Sequence, residues 1–241
     1  MLISLHVPKT AGSSFRELLA LHYGERLRAD YADRPLHQSV PARRAQALRA
    51  GLGLLLNPSQ LQGVDAVHGH FLAIKYSLWR GGPGWHRVTW LRDPVERLAS
   101  HYYYWRRSYD PGSAGSLHRR VVEEDWTLER FCLGPELRNS YRQFLWGVPL
   151  ARFTFVGITE HYTTEVADFS RLIPAFAGSP LPQQEEVVNA NPAAGERYIN
   201  DASLRQRIER YHADDVALYR EALRRRQLRL SAATPERHGD P

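Results

Sequence analysis

A lysine in a short loop of small residues is the first candidate for chemistry in this chain. The loop follows the apolar run 2–7 and consists of Pro8, Lys9, Thr10, Ala11, Gly12, Ser13 and Ser14. Where a helix begins after such a loop, its free backbone N–H groups and its dipole attract anions. The hydroxyls add hydrogen-bond donors, and Lys9 adds a full positive charge. A Walker A loop differs, because its lysine follows the glycines. The alternative interpretation is an ordinary strand-to-helix turn.

A second candidate segment has an arginine at the end of an apolar run. Residues 91–102 read Leu-Arg-Asp-Pro-Val-Glu-Arg-Leu-Ala-Ser-His-Tyr. Arg92 can bind a phosphate through two parallel hydrogen bonds. Ser100, about two turns into the following helix, can donate to the same group if the path bends. Arg97 is expected to pair with Asp93, four residues earlier on the helix. A solvated helix start is the alternative for this segment.

Two histidines follow a third apolar run, in the order His68-Gly69-His70. A neutral imidazole accepts a proton near neutral pH and so suits a general base. On a strand, this spacing puts both rings on one face, where they can also bind zinc, although a third ligand with clear spacing is missing. Two structural histidines at a strand end are the remaining alternative.

Together, the loop and the arginine segment resemble the two cofactor motifs of the PAPS-dependent sulfotransferases. Residues 8–15 resemble the family's 5′-phosphosulfate loop, and residues 92–102 resemble its 3′-phosphate motif. The His-Gly-His segment favours the carbohydrate O-sulfotransferases of the heparan-sulfate 2-O-sulfotransferase kind and their bacterial relatives, which carry such a pair at the active site. The resemblance is specific over residues 1–105 and diffuse after them.

The resemblance implies transfer of a sulfuryl group from PAPS (3′-phosphoadenosine 5′-phosphosulfate) to a hydroxyl of a carbohydrate or similar acceptor. Lys9 would stabilise the departing phosphate oxygen, His70 would act as the base, and His68 would assist it or bind the acceptor. The residues implied to bind the cofactor are Lys9, Thr10, Ala11, Gly12, Ser13, Ser14, Arg92 and Ser100. No metal is implied, because Lys9 and the loop amides supply the positive charge.

Other conspicuous residues have weaker functional interpretations. Arg138 and Arg142, expected on one helical face, either bind an acidic sugar or line the surface. Lys75 is expected to be a solvated helix lysine, and Cys132 a small core residue. The aromatic run 102–105 is expected to be mostly core, with one ring free to stack on a sugar or adenine. Residues 189–197 correspond weakly to a loop that closes over the nucleotide in relatives.

The elements that must position these residues alternate between strands and helices. Strands are predicted at 2–7, 64–67, 87–91 and 153–157, and helices at about 13–24, 41–56, 94–105, 161–174 and 203–228, with shorter helices in 117–146. This alternation predicts an α/β fold, a central parallel sheet flanked by helices in a P-loop-like sulfotransferase architecture. The three candidate segments all follow strands, so they should meet at the carboxyl edge of the sheet. A single domain is expected over 1–230, with a frayed tail over 231–241.

Composition limits the alternatives. The chain has 241 residues and a formal net charge of +6, and only two of its 32 basic residues are lysines. No apolar run is long enough to span a bilayer and no signal peptide is recognisable, so a cytoplasmic protein without a membrane partner is expected. A nucleotide-dependent kinase and a basic nucleic-acid-binding module are the alternative functions. The arginines are dispersed among acidic residues, which argues against nucleic acid. The loops expected to select the acceptor are 25–40, 80–86 and 108–118, and an oligomer is possible.

Overall fold

The computed structural model describes residues 1–78, 84–176 and 197–233. Its strands are β1 (Leu2–Leu5), β2 (Leu27–Asp30), β3 (Ala66–Gly69), β4 (His86–Leu91) and β5 (Phe155–Ile158). Its helices are α1 (Gly12–Tyr23), α2 (Val40–Leu56), α3 (Pro94–Arg107), α4 (Ser116–Glu123), α5 (Leu128–Leu133), α6 (Ser140–Phe144), α7 (Tyr162–Leu172), α8 (Ala202–Tyr211) and α9 (Ala213–Ala233). The predicted α/β class with a central parallel sheet flanked by helices is confirmed.

The sheet is parallel throughout and has the order β2-β3-β1-β4-β5. The first strand of the chain therefore lies in the middle, with β3 on one side and β4 on the other. In register, Leu5 at the end of β1 is opposite Gly69 in β3 and Thr89 in β4. The segments that follow β1, β3 and β4 consequently leave the sheet at the same edge.

Alternating side chains of the strands enter a core on each face of the sheet, as the two-residue period of a strand requires. Ile3 and Leu5 of β1 pack in the core that includes side chains of α2, α6 and α9, while Leu2 packs on the opposite face among side chains of α1 and α7. A third core joins α3, α4, α5 and α8. Burial on both faces explains why β1 is a continuous apolar run except for Ser4.

Three features differ from the sequence-based expectation. The loop expected at 25–40 contains β2, an edge strand whose sequence Leu-Arg-Ala-Asp lacks a continuous apolar pattern. The single helix expected at 203–228 is two helices, and the Asp201 carboxylate caps the first of them, α8. His212 separates α8 from α9, because its buried ring bonds to the Cys132 carbonyl and the Asn139 amide. The last helix continues to Ala233, past the expected start of the tail.

Some expectations fall outside the described residues: the loop over the nucleotide in 189–196, most of the acceptor loop 80–86 and the tail beyond residue 233. No helix in the described ranges combines the length and the apolar character needed to cross a membrane.

Candidate active site

The loop between β1 and α1 has an unusual backbone that presents the start of the helix. Lys9 and Ala11 both have left-handed φ angles, 69° and 60°, and such angles in residues with a side chain are uncommon outside functional turns. Thr10 stabilises this path, because its buried hydroxyl donates to the Val7 carbonyl at 2.8 Å. The Thr10 side chain is therefore used within the loop, leaving its main chain for a bound anion. Gly12 then begins α1.

Lys9 lies in a cluster of cationic side chains. Its ammonium is 3.9 Å from the centre of the Tyr104 ring of α3, a cation–π contact that tolerates a charge without neutralising it. Burial, followed by repulsion from Arg92 and Arg107, lowers the pKa of Lys9 to about 8. In the described part of the chain, none of these three side chains forms a salt bridge with a carboxylate. Within those residues no acid neutralises the cluster, and its positive charge favours an anionic ligand.

Arg92 leaves the end of β4 and is held by its main chain. Its N–H donates to the Tyr141 hydroxyl at 3.0 Å, and its carbonyl accepts from that hydroxyl at 2.6 Å. The guanidinium lies 5.5 Å from the Tyr198 ring, which stacks against Tyr103. Ser100 is 4% exposed on α3, and no hydrogen bond or ring contact within the described ranges joins it to Arg92. The structure therefore brings Arg92 to the Lys9 site, while the expectation that Ser100 donates to the same anion as Arg92 stays a prediction.

The expected pair of Arg97 with Asp93 is wrong. One carboxylate oxygen of Asp93 caps α3 by accepting from the amides of residues 95 and 96, and the other accepts from Arg205 of α8 at 2.6 Å. Arg97 is only 1% exposed and instead donates to the Ser140 hydroxyl at 3.2 Å. As the N-cap, the Asp93 carboxylate accepts from two free amides at once, and this stabilises the helix more than an ion pair with Arg97 would.

The ring of His70 has a defined tautomer. Its Nδ1 is 2.7 Å from the His6 carbonyl oxygen, so Nδ1 donates and Nε2 keeps the lone pair. The ring is partly exposed, just beyond the end of β3. Burial lowers the pKa of His70 below its usual 6.5, while the bond to the carbonyl opposes that shift. His70 is therefore neutral at pH 7, as a general base must be.

His68 lies deeper in the molecule than expected. It is 1% exposed, and its Nδ1 shares a 2.8 Å hydrogen bond with the Ser4 hydroxyl of β1. Burial, then the charges of His70 and Arg16, lower its pKa to about 3. The backbone of Gly12, at the start of α1, opposes this shift through a hydrogen bond to the ring. The structure thus encloses His68, and its expected role of assisting the base or binding the acceptor stays a prediction.

Two further residues complete the histidine cluster and were not singled out in the sequence. His6 lies two residues before the loop, and its ring centre is 4.4 Å from that of His70 and 5.1 Å from that of His68. Tyr31 follows β2, meets the His70 ring edge-on at 4.8 Å, and its hydroxyl is 3.3 Å from the His6 Nδ1. The adjacency of His6 to the lysine loop was an available signal. Tyr31 lies in a stretch without periodicity, so only tertiary structure reveals it.

Three basic residues outside this cluster differ from expectation. Arg138 precedes α6, where it donates to the Tyr211 carbonyl, whereas Arg142 lies within α6 and pairs with Asp214. They do not share a helical face, because Asn139 between them has a left-handed φ. Lys75, expected to be solvated, is 9% exposed and forms ion pairs with Asp30 and Asp33. Cys132 is buried, as predicted, whereas the aromatic run is divided: Tyr102 and Trp105 are buried, and Tyr103 and Tyr104 are half-buried.

The site combines His70, a neutral imidazole held by a hydrogen bond, with a cationic loop at Lys9 that no acid of the described residues neutralises. Those components suit attack by a hydroxyl on an anionic group, because the base removes the proton and the cations stabilise a departing anion. Within the described ranges, no group of three or more histidine, cysteine, aspartate or glutamate side chains is arranged to hold a metal ion. Comparison with models of known families gave no match, and no curated protein matched the chain.

Proposed function

We propose that this protein is a cytoplasmic sulfotransferase that transfers a sulfuryl group from PAPS to a hydroxyl of a carbohydrate or similar acceptor. The observation that carries the proposal is that Lys9 and His70 follow the ends of the paired parallel strands β1 and β3, and that both act electrostatically on the same neighbour, His6. The Nδ1 of His70 donates a hydrogen bond of 2.7 Å to the His6 carbonyl oxygen, which leaves the lone pair of Nε2 free to accept a proton. Arg92, which follows β4, adds its positive charge beside Lys9.

The residues present fit a polyanionic donor. The loop backbone at Lys9 and Ala11 exposes the start of α1, and Gly12 has no room for a side chain because a Cβ atom would lie 1.9 Å from the His6 ring. Amides at a helix start hold phosphate or sulfate well. PAPS would supply the activated sulfuryl group and a stable leaving phosphate.

In the proposed reaction, His70 and Lys9 act on opposite ends of one displacement. The acceptor oxygen forms a bond to sulfur while the bond from sulfur to the 5′-phosphate oxygen breaks. The acceptor proton moves to Nε2 of His70, and the electron pair of the broken bond stays on the phosphate oxygen. Lys9 stabilises that developing negative charge. Arg92 holds a second anionic group of the donor through its guanidinium.

Binding of PAP, the desulfated product, is the first test. We expect calorimetric binding to the full chain and stabilisation against heat, with Lys9→Ala and Arg92→Ala each weakening the affinity by about tenfold or more, since each removes a charged contact. Arg171→Ala is the matched control, because this exposed arginine pairs only with Asp168 on α7 among the described residues. No detectable binding to the wild-type chain would overturn the proposal.

Transfer itself is tested with labelled PAPS and a panel of glycan, phenol and tyrosine-peptide acceptors. We expect His70→Ala to reduce transfer by about a hundredfold or more while leaving PAP binding intact, because a general base contributes to the chemical step rather than to donor binding. Mg²⁺-dependent ATP turnover in place of sulfuryl transfer would instead support a kinase. Tight binding of nucleic acid that weakens steeply with salt would support the binding-module alternative.

A further inference from the structure

The imidazole of His70 is enclosed by two aromatic side chains that are bonded to each other. The His6 ring lies against it at 4.4 Å with an interplanar angle of 38°, and the Tyr31 ring meets it edge-on at 4.8 Å and 87°. The Tyr31 hydroxyl and the His6 Nδ1 share a hydrogen bond at 3.3 Å. The His6 main chain holds His70 as well, through the carbonyl that accepts from Nδ1. The His70 ring therefore cannot turn without breaking one of these contacts.

The His6 ring also contacts the anion loop. A methyl group placed on Gly12 would lie 1.9 Å from the His6 Nε2, so the imidazole packs directly on the first residue of α1. The only side chain that fits against it is the hydrogen of a glycine. One ring therefore connects the proposed base to the loop proposed to bind the donor.

We propose that His6 and Tyr31 are positioning residues that hold His70 with its Nε2 directed towards the acceptor and in fixed register with the loop at Gly12. This inference rests on the proposed function for the identity of the reaction, but the arrangement of the rings is independent of it. His6 acts through His70 and does not itself exchange a proton with the acceptor. Its bond to Tyr31 engages Nδ1, and its Nε2 is directed at Gly12.

Titratable side chains from or next to the three strands β1, β2 and β3 and from helix α3 surround the His70 ring. His6 lies at the end of β1, His68 in β3, Tyr31 after β2 and His101 in α3, and Lys9 acts on His6 from the loop. None of the described groups acting on His70 is a carboxylate. Removing the His6 ring admits water to the face of His70, and hydration favours the charged imidazolium. The pKa of His70 should then rise towards its ordinary 6.5.

The experiment measures activity and the state of the imidazole separately. The variants are His6→Ala, which keeps the carbonyl but removes the ring, Tyr31→Phe, which removes only the hydroxyl, and the double variant. His161→Ala is the matched control, an exposed histidine after β5. Nitrogen NMR of the uniformly labelled chain reports the tautomer and the pKa of His70 whether or not any reaction occurs. Calorimetry with PAP and kcat against pH with PAPS report binding and transfer.

We expect His6→Ala to lower kcat by about tenfold to a hundredfold through misplacement of the base, with PAP affinity changed by less than about threefold. The acidic limb of the kcat profile and the NMR pKa of His70 should both move upwards. Tyr31→Phe should give a smaller change in the same direction, and it should have little effect when His6 is already alanine, because both act through one hydrogen bond.

Wild-type kcat, an unmoved acidic limb and an unmoved His70 pKa in His6→Ala would overturn the positioning role while leaving the proposed function standing. Additive effects of His6→Ala and Tyr31→Phe would overturn the coupling between them. Where His6→Ala does not fold, Tyr31→Phe decides, since it retains every ring. A wild-type chain without PAP binding would refute the proposed function instead, and the NMR comparison would still test whether His6 and Tyr31 hold the His70 ring.

Discussion

The two lysines of the chain are in contrasting environments, although thirty arginines surround them in the sequence. Lys75 is enclosed by two carboxylates, so its charge is neutralised within the fold. Lys9 faces an aromatic ring and two arginines, and none of its described neighbours is an acid. An ammonium is a compact charge that can approach a single oxygen, whereas a guanidinium is flat and needs two acceptors. Only Lys9 is therefore available to a ligand.

The lowered pKa of Lys9 makes donor binding dependent on pH. The charged ammonium attracts the anion, so affinity for PAP should change little between about pH 7 and 8 and should fall as Lys9 loses its proton above pH 8. The fall approaches about tenfold per pH unit, as expected when one proton is linked to binding. Titration calorimetry across this range measures it.

Lys9→Arg is the matched variant, because arginine keeps its charge throughout the range. Its affinity should be lower at neutral pH, as a guanidinium fits the site less well, but it should not change between neutral pH and about pH 9.5. An equally steep fall in both proteins would mean that another group is responsible.

At the scale of elements, an internal ion cluster fixes the end of the edge strand β2, which Tyr31 directly follows. Asp30 ends β2, Asp33 follows it, and both contact the Lys75 ammonium at 2.8 and 2.9 Å. The Tyr76 hydroxyl donates to Asp30 at 2.7 Å. These contacts join β2 to the short helical turn after β3. Since β2 has little apolar character, the cluster rather than hydrophobic burial determines where the chain emerges towards His70.

Lys75→Met should destabilise the fold severely. The variant leaves two nearly buried carboxylates close together without a counter-charge, and breaking such a buried pair costs about 3–5 kcal/mol of unfolding free energy. Urea unfolding measures the change. Arg26→Ala is the control: it removes an ion pair with Asp65 in which both side chains are about half exposed, and the loss should be below about 1 kcal/mol. Similar small losses in both variants would show that the buried cluster contributes little.

At the scale of the whole molecule, the sheet order makes the site a product of long-range contacts. The central position of β1 brings its loop between the segments that follow β3 and β4. Several buried histidines are enclosed in the same fold, and burial lowers the pKa of His68 to about 3, of His212 to about 4 and of His101 well below 6.5. Each is kept neutral by the folded state and is free to bind a proton in the unfolded chain.

This difference predicts loss of stability in mild acid. Below pH 6.5 the unfolded chain binds protons that the folded chain does not, so each such histidine lowers the free energy of unfolding by about 1.4 kcal/mol per pH unit. Asp215, whose pKa burial raises to about 6, acts in the opposite sense with a single proton. The net result should be a fall between pH 7 and about 5.5.

Urea unfolding at a series of pH values tests this expectation. His161→Gln is the control, because this side chain is exposed and the substitution removes no buried group. A free energy of unfolding that stays constant over this interval would contradict the idea that the buried histidines are neutral in the fold.

The sequence by itself determined the features that depend on neighbouring residues. Apolar runs indicated the strands β1, β3, β4 and β5, because a strand buried on both faces must be apolar. The small residues of 8–14 indicated the loop, and parallel strands must leave their carboxyl ends at one edge, which brought Lys9, His70 and Arg92 together. The family resemblance and the reaction stay predictions, as does the acceptor.

Only the tertiary structure decided what depends on partners distant in the chain. Lys75 is buried in ion pairs with two aspartates instead of lying on the surface. Asp93 pairs with Arg205 rather than with Arg97, and His68 is buried. The tertiary structure also put His6 and Tyr31 around His70 through contacts among three strands. The physical reason is that burial and ion pairing are set by which segments meet in space, and side chains from well-separated segments leave no periodic pattern in the sequence.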